Sequence, residues 1–258
     1  RIRVRGVHFP AMAVFGSFLV HPSILASSIP EDFGLIIAGA FIVFLVWQTA
    51  VVFDDIYDRG DRTGTLGYLG YGILSATMVV LATVPYGLLP WLLTILAVYF
   101  AVDYPRLRRK HYLLSGLVVG ISSCMAFLFG TQVPIGSPSS SQPVAFFALA
   151  VFLVFSGASL LKDVVNTEGD RRSGISTVFT RFETNRVLPI VAGFVAVGFV
   201  LPAVLFSTLV DQMLFLAIGA GVWLLIILAK HRSYKPVLAL YFVEGLWVFF
   251  RVFINPPG

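Results

Sequence analysis

The feature that most constrains this chain is its punctuation. Apolar runs close to the length of a spanning helix follow one another from end to end, each bounded by charged or turn-forming residues. Inside a bilayer the backbone N–H and C=O groups find no water, so only helices and closed barrels cross it. A barrel would show alternating polarity over roughly 10-residue strands. These runs are continuous instead, near the ~20 residues that a spanning helix needs. Nine are read, near 10–27, 33–53, 65–84, 86–102, 112–130, 143–161, 187–209, 211–229 and 236–254. The expectation is an all-α polytopic membrane protein of about nine transmembrane helices, with residues 1–258 forming a single helical domain.

Composition agrees. Hydrophobic residues make up 58% of the chain and charged residues only 12%, about half the charged share of a soluble domain. So few charges cannot cover a soluble surface, which excludes a soluble globular enzyme and a disordered chain. The single cysteine, Cys124, forms no internal disulfide and reads as an inert buried thiol. Val84-Pro85-Tyr86-Gly87 separates the third and fourth runs and makes them a tight hairpin. Residues 130–143 are rich in Ser, Pro and Gly, carry no charge, and read as an extramembrane loop. The first run reads as a span rather than a cleaved signal, with His21 as a packing residue beside a kink at Pro22. Gly67, Gly70 and Gly72 read as close-packing positions.

Nine spans put the termini on opposite sides, and the basic residues test that count. With this count every Lys and Arg except Arg251 falls on the N-terminal side. An error in the middle would scatter them. The excess of basic residues marks the cytoplasmic face, so the N-terminus is expected in the cytoplasm and the C-terminus opposite. The net charge of +5 is then a topology signal, and no nucleic-acid partner is expected.

Topology does not ask for acids on that face, yet most of them share it. Asp54, Asp55, Asp58 and Asp61 close the second run, and Asp163, Glu168 and Asp170 close the sixth. If the helices continue, Asp54, Asp58 and Asp61 lie at i, i+4 and i+7, and Asp163, Asn166 and Asp170 at i, i+3 and i+7, each set on one face. Like charges stacked at a helix C-terminus repel one another and oppose the dipole. Cations must offset this. Oxygen donors from Asp and Asn suit a hard divalent ion, and Mg²⁺ typically binds through one or two carboxylates plus substrate phosphates. The bland alternative is a pair of solvated helix ends with local salt bridges.

These residues resemble the motifs of the UbiA superfamily of intramembrane prenyltransferases. That family has nine transmembrane helices and an Asp-rich motif after the second and sixth. Its first motif, roughly Asn-Asp-x-x-Asp-x-x-x-Asp, is matched by Asp54-Asp55-Ile56-Tyr57-Asp58-Arg59-Gly60-Asp61. Its second, Lys-Asp-x-x-Asp-x-x-Gly-Asp-x-x-x-Gly-x-x-Thr, is matched by Lys162-Asp163 through Gly169-Asp170 to Gly174 and Thr177. A Tyr-x-x-x-Lys feature after the fourth helix is matched by Tyr104 to Arg108, followed by Arg109 and Lys110. Three departures stand out. Asp54 replaces Asn, Asn166 replaces Asp, and the first motif is one residue short before Asp61. An Arg-Pro-rich segment is also missing, and Arg62-Thr63-Gly64-Thr65 stands in its place.

The resemblance implies Mg²⁺-dependent transfer of an isoprenyl group from a prenyl diphosphate to a hydrophobic acceptor within the membrane lipid. Two Mg²⁺ ions would bridge the diphosphate to Asp54, Asp58, Asp163, Asn166 and Asp170, with Asp55 and Asp61 as weaker ligands. Asp54, Asp58, Asp163 and Asp170 are the carboxylates on which catalysis is expected to depend. Arg62, Tyr104, Arg108, Arg109, Lys110 and Arg171 would meet the diphosphate, although Arg171 and Arg172 also read as topology residues alone. Asp103 would pair with the run Arg106–Lys110. Glu244 lies deep in the ninth run, expensive in lipid and a candidate for function. It would pair with Arg251 or with a polar group on another helix. The rival readings are a terpene cyclase on the same scaffold, a transporter, and a non-catalytic prenyl-lipid binder.

Overall fold

Ten helices make up the described part of the chain in the computed structural model, which covers residues 8–20, 30–59, 65–133, 142–172, 174–230 and 234–254. They are α1 (His8–Val20), α2 (Pro30–Arg59), α3 (Thr65–Ala82), α4 (Leu88–Lys110), α5 (Leu114–Gln132), α6 (Gln142–Arg172), α7 (Val178–Arg181), α8 (Thr184–Val200), α9 (Leu209–Ala229) and α10 (Tyr234–Ile254). No strand occurs among the described residues. Seven of the helices (α2 to α6, α8 and α9) are long and apolar enough to cross a membrane. Of the other two that match an apolar run, α1 has 13 residues, and α10 carries Lys235, Glu244 and Arg251 among its 21.

The spanning helices have no polar face. Ile37, Leu74, Leu81, Ile190 and Leu228 are all well exposed, as helices surrounded by lipid require. The expected tight turn between α3 and α4 is present. A 3-10 turn spans Val84–Tyr86 with Pro85 near its start, and Gly87 follows at φ 99°, a conformation that costs a residue with a Cβ.

The chain divides into two units, 1–106 with 125–140, and 107–124 with 141–258. In the first, α1 and the C-terminal half of α5 meet backbone to backbone. A Cβ at Gly130 would stand 1.9 Å from the Ala13 carbonyl oxygen, and one at Gly16 would stand 2.3 Å from that of Phe127. The Ser17 hydroxyl completes the contact by donating to the Gly130 carbonyl at 2.8 Å. Thr49 and Ser75 join α2 to α3 through a 2.9 Å hydrogen bond. Gly72 lies against the Phe53 ring, whereas among the described residues nothing stands within 4 Å of a Cβ built at Gly70. His21 and Pro22 lie outside the described residues.

In the second unit α6 is the central helix. Phe155, Leu161, Val151 and Val154 are wholly buried. Gly157 of α6 receives Val195 of α8, and Gly198 of α8 receives Val154, so the two run antiparallel at short range. On the other side of α6, Gly116 and Gly120 of α5 face Leu160 and Ser156. The α10 face carrying Val237, Tyr241, Glu244 and Val248 is buried. The Tyr241 ring meets Phe155 and Phe199 edge-on, at 5.6 and 5.3 Å between centroids.

Candidate active site

Two helices overrun their apolar runs. α2 continues to Arg59 and α6 to Arg172, each carrying its acids beyond the span as continuous helix. Asp54 and Asp58 are therefore one turn apart on α2, and Asp163, Asn166 and Asp170 follow i, i+3, i+7 on α6. Asp61 and Arg62 lie outside the described residues. Asp54 and Asp55 are half-buried. On α4, in the same unit, Asp103 takes an ion pair from Arg106 at 3.8 Å, the first residue of the basic run that the sequence offered as its partner. Tyr104 is half-buried beside Pro105. Pro105 sits inside α4 and has no N–H to give to the carbonyl of Ala101.

In the second unit Asp163 is nearly enclosed, at 5% exposure. The Ser115 hydroxyl, in the first turn of α5, donates to its Oδ2 at 3.2 Å. This is possible because α5 and α6 touch through small residues. A Cβ at Gly120 would stand 1.8 Å from Ser156 Oγ and 2.7 Å from the Phe152 carbonyl oxygen. Asp170 is half-buried, while Asn166, Arg171, Arg172 and Lys110 are exposed. Arg172 pairs with Glu168 at 3.8 Å.

The end of α6 explains the spacing of the second motif. The Ile175 N–H donates to the Asp170 carbonyl at 2.8 Å and the Gly174 N–H to that of Arg171 at 3.3 Å. With Gly174 at φ 67°, this is a Schellman cap. Thr177 then opens α7 through a capping box with Thr180. Gly174 and Thr177 thus cap helices and fix how the chain leaves the acids. That segment docks on the turn between α4 and α5. Arg181 bonds Ser176 Oγ at 2.9 Å and lies over the Tyr112 ring at 5.9 Å. Phe182 meets the same ring edge-on. The structure therefore brings the second motif to the turn that follows Arg108, Arg109 and Lys110.

Sequence reasoning missed Ser115, Tyr112, Arg181 and Asp211. The last corrects an expected partnership. Arg251 bonds Asp211, with Nε 3.1 Å from Oδ1 and a second contact from its terminal nitrogen to Oδ2. Thr208, the N-cap of α9, bonds the same carboxylate. The signal was the pattern Thr208-x-x-Asp211 at a helix start. Glu244 is 3% exposed, and neither of its oxygens has a hydrogen-bond partner among the described residues.

Magnesium fits the donor chemistry rather than a preformed cage. Among the described residues no three acidic, histidine or cysteine side chains converge on one point. Mg²⁺ does not need this, because it keeps waters and takes one or two carboxylates together with substrate phosphate. Asp163 and Asp170, with the amide oxygen of Asn166, form an all-oxygen set.

These features define a helical integral membrane protein in which two helices carry acids at their ends, past their apolar runs. Residues 60–243 match the UbiA prenyltransferase family, and the chain belongs to that family. A digeranylgeranylglyceryl phosphate synthase from Methanothermobacter thermautotrophicus is 25% identical over 160 residues, covering 57% of this chain and 55% of the relative. The chain thus aligns with about half the length of the curated relatives it matches. Among solved structures, a UbiA homologue from Aeropyrum pernix K1 is similar with a TM-score of 0.71 at 16% identity, covering 98% of this chain and 100% of that one. A UbiA homologue from Archaeoglobus fulgidus, solved with GPP and Mg²⁺, has a TM-score of 0.61 at 14% identity, covering 94% and 95%.

Proposed function

We propose that this chain transfers an isoprenyl group from a prenyl diphosphate to a lipophilic acceptor inside the membrane, with Mg²⁺ as cofactor. The observation that carries this reading is the extension of α2 and α6 beyond their apolar runs, each presenting acids at its end. Family membership and the GPP- and Mg²⁺-bound homologue support it. Nine helices cross the bilayer in this reading. The N-terminus and both acidic helix ends face the cytoplasm, and the C-terminus lies opposite.

Asp54, Asp58, Asp163, Asn166 and Asp170 supply metal ligands, with Asp55 and Asp61 at their margin, and two ions are proposed. Magnesium, when bound, stabilises the charge on the departing diphosphate. Arg108, Arg109 and Lys110 hold the phosphates by charge-assisted hydrogen bonds, with Arg62, Tyr104 and Arg171 adding contacts. The apolar side chains between the helices take the prenyl tail and exclude the water that would otherwise capture the allylic cation. The names of the curated relatives favour a glycerol-phosphate lipid as the acceptor to test first.

The test is a membrane assay with labelled prenyl diphosphates of several lengths, with and without Mg²⁺ and acceptor. Acceptor-dependent prenyl transfer that requires Mg²⁺ is expected. A cyclic product made without acceptor would favour the cyclase reading, and no Mg²⁺-dependent diphosphate release at any length would end the enzymatic one. Asp58→Ala and Asp163→Ala should each lose at least two orders of magnitude in turnover, as for removal of a group that stabilises developing charge.

A further inference from the structure

We infer that Ser115 is the positioning residue for Asp163, holding the first carboxylate of the second motif in the orientation that metal binding requires. The inference rests on the proposed role of Asp163 and adds a residue that no motif contains.

Asp163 projects from α6 into the contact with α5, not outward into water. A carboxylate placed there needs donors, because an unmet lone pair in a buried setting is costly. Thr167 Oγ1, one turn on, donates to the backbone carbonyls of Asp163 and Val164, both at 3.0 Å. Ser115 comes from another helix and reaches Oδ2. It is 2% exposed, so water does not compete for its hydroxyl. Its reach is set by the Gly116 and Gly120 contact, which leaves α5 little freedom to move toward or away from α6. The bond of 3.2 Å is longer than the usual 2.7–2.8 Å for O–H···O. Its strength is therefore modest, and its main effect is on orientation. With Oδ2 held by Ser115, the side chain cannot turn freely about its terminal torsion, which is otherwise broad. Metal ligands are commonly oriented by such outer partners.

The experiment uses the purified full-length chain and Mn²⁺ as a spectroscopic stand-in for Mg²⁺, with inorganic diphosphate present. Free Mn²⁺ is followed by electron paramagnetic resonance, so the readout is independent of turnover. Ser115→Ala is expected to weaken Mn²⁺ binding about fivefold, the size of one modest hydrogen bond. The thermal midpoint without metal should fall by only about 2–4 °C, the shift that one modest hydrogen bond makes in a chain of this size. Ser115→Thr, which keeps the hydroxyl, is expected to restore affinity to within twofold. Ser115→Cys, close in size but a weak donor, repeats the loss should threonine not be accommodated. Asp163→Asn is the control for the site and is expected to weaken binding further than Ser115→Ala. If Asp163→Asn weakens binding while Ser115→Ala and Ser115→Cys leave it within twofold, the positioning role is overturned and the site stands. If Asp163→Asn binds Mn²⁺ as the parent does, the assignment of Asp163 itself fails.

Discussion

Asp163 and Glu244 are both carboxyl groups almost out of reach of solvent, and they differ in how they are held. Asp163 has a hydroxyl from the neighbouring helix, whereas neither oxygen of Glu244 has a hydrogen-bond partner among the described residues. A carboxyl group with no partner is short of hydrogen bonds in either protonation state, at about 1–3 kcal/mol per unmet group. Replacing it with an apolar residue of similar volume removes that deficit. Glu244→Met should therefore raise the thermal midpoint in detergent, by about 2–4 °C for each kcal/mol recovered in a chain of this size. A lower midpoint would mean that Glu244 has a partner outside the described residues. The sequence marked both acids, Glu244 as a charge inside an apolar run and Asp163 as one of a cluster that closes a run. It did not mark Ser115, 48 positions from Asp163. A hydroxyl in an apolar run is ordinary, and its partner depends on the register of two helices.

At the scale of elements, helix ends account for most of what periodicity could not tell. The apolar runs located the long helices, but α6 extends to Arg172, well past the run that ended near Leu161. The hydrogen-bond ladder does not need apolar side chains, and a helix stops where a cap stops it. Here that is Gly174 at φ 67°, a glycine legible as part of a motif but not, from sequence alone, as a cap. The ends of α9 and α10 follow the same logic. Asp211 is 3% exposed, and with Thr208 and Arg251 it ties the start of one helix to the end of the other. Breaking one side of a buried pair leaves an uncompensated charge and costs about 3–5 kcal/mol, whereas replacing both sides is often nearly neutral. Asp211→Leu should thus lower stability by about 3 kcal/mol. The double replacement Asp211→Leu with Arg251→Leu should recover most of it, as measured by unfolding of the detergent-solubilised chain. Additive losses would show that the two residues are not coupled.

At the scale of the whole molecule, the arrangement of charge makes a claim about sidedness that the helices themselves do not. Every Lys and Arg except Arg251 falls on one side when nine spans are threaded in order. The structure supplies helix bounds and exposed positions on which to test this threading. Val84, in the turn between α3 and α4, is 56% exposed, and Val210, at the start of α9, is 79% exposed. Glu168 and Lys235 are exposed near the end of α6 and the start of α10. The chain has one cysteine, Cys124, so a Cys124→Ala background accepts single cysteines at these four positions. Positive charge is retained on the cytoplasmic face. A membrane-impermeant thiol reagent added to intact cells should therefore label Val84→Cys and Val210→Cys. It should label Glu168→Cys and Lys235→Cys only after the membrane is opened. Each adjacent pair tests an odd number of crossings. Between Val84 and Glu168 the chain must cross three times, and between Glu168 and Val210 once, as again between Val210 and Lys235. Labelling of Val84 and Glu168 from the same face would remove one of α4, α5 and α6 from the set of spanning helices. The acids at the ends of α2 and α6 could then no longer share a compartment.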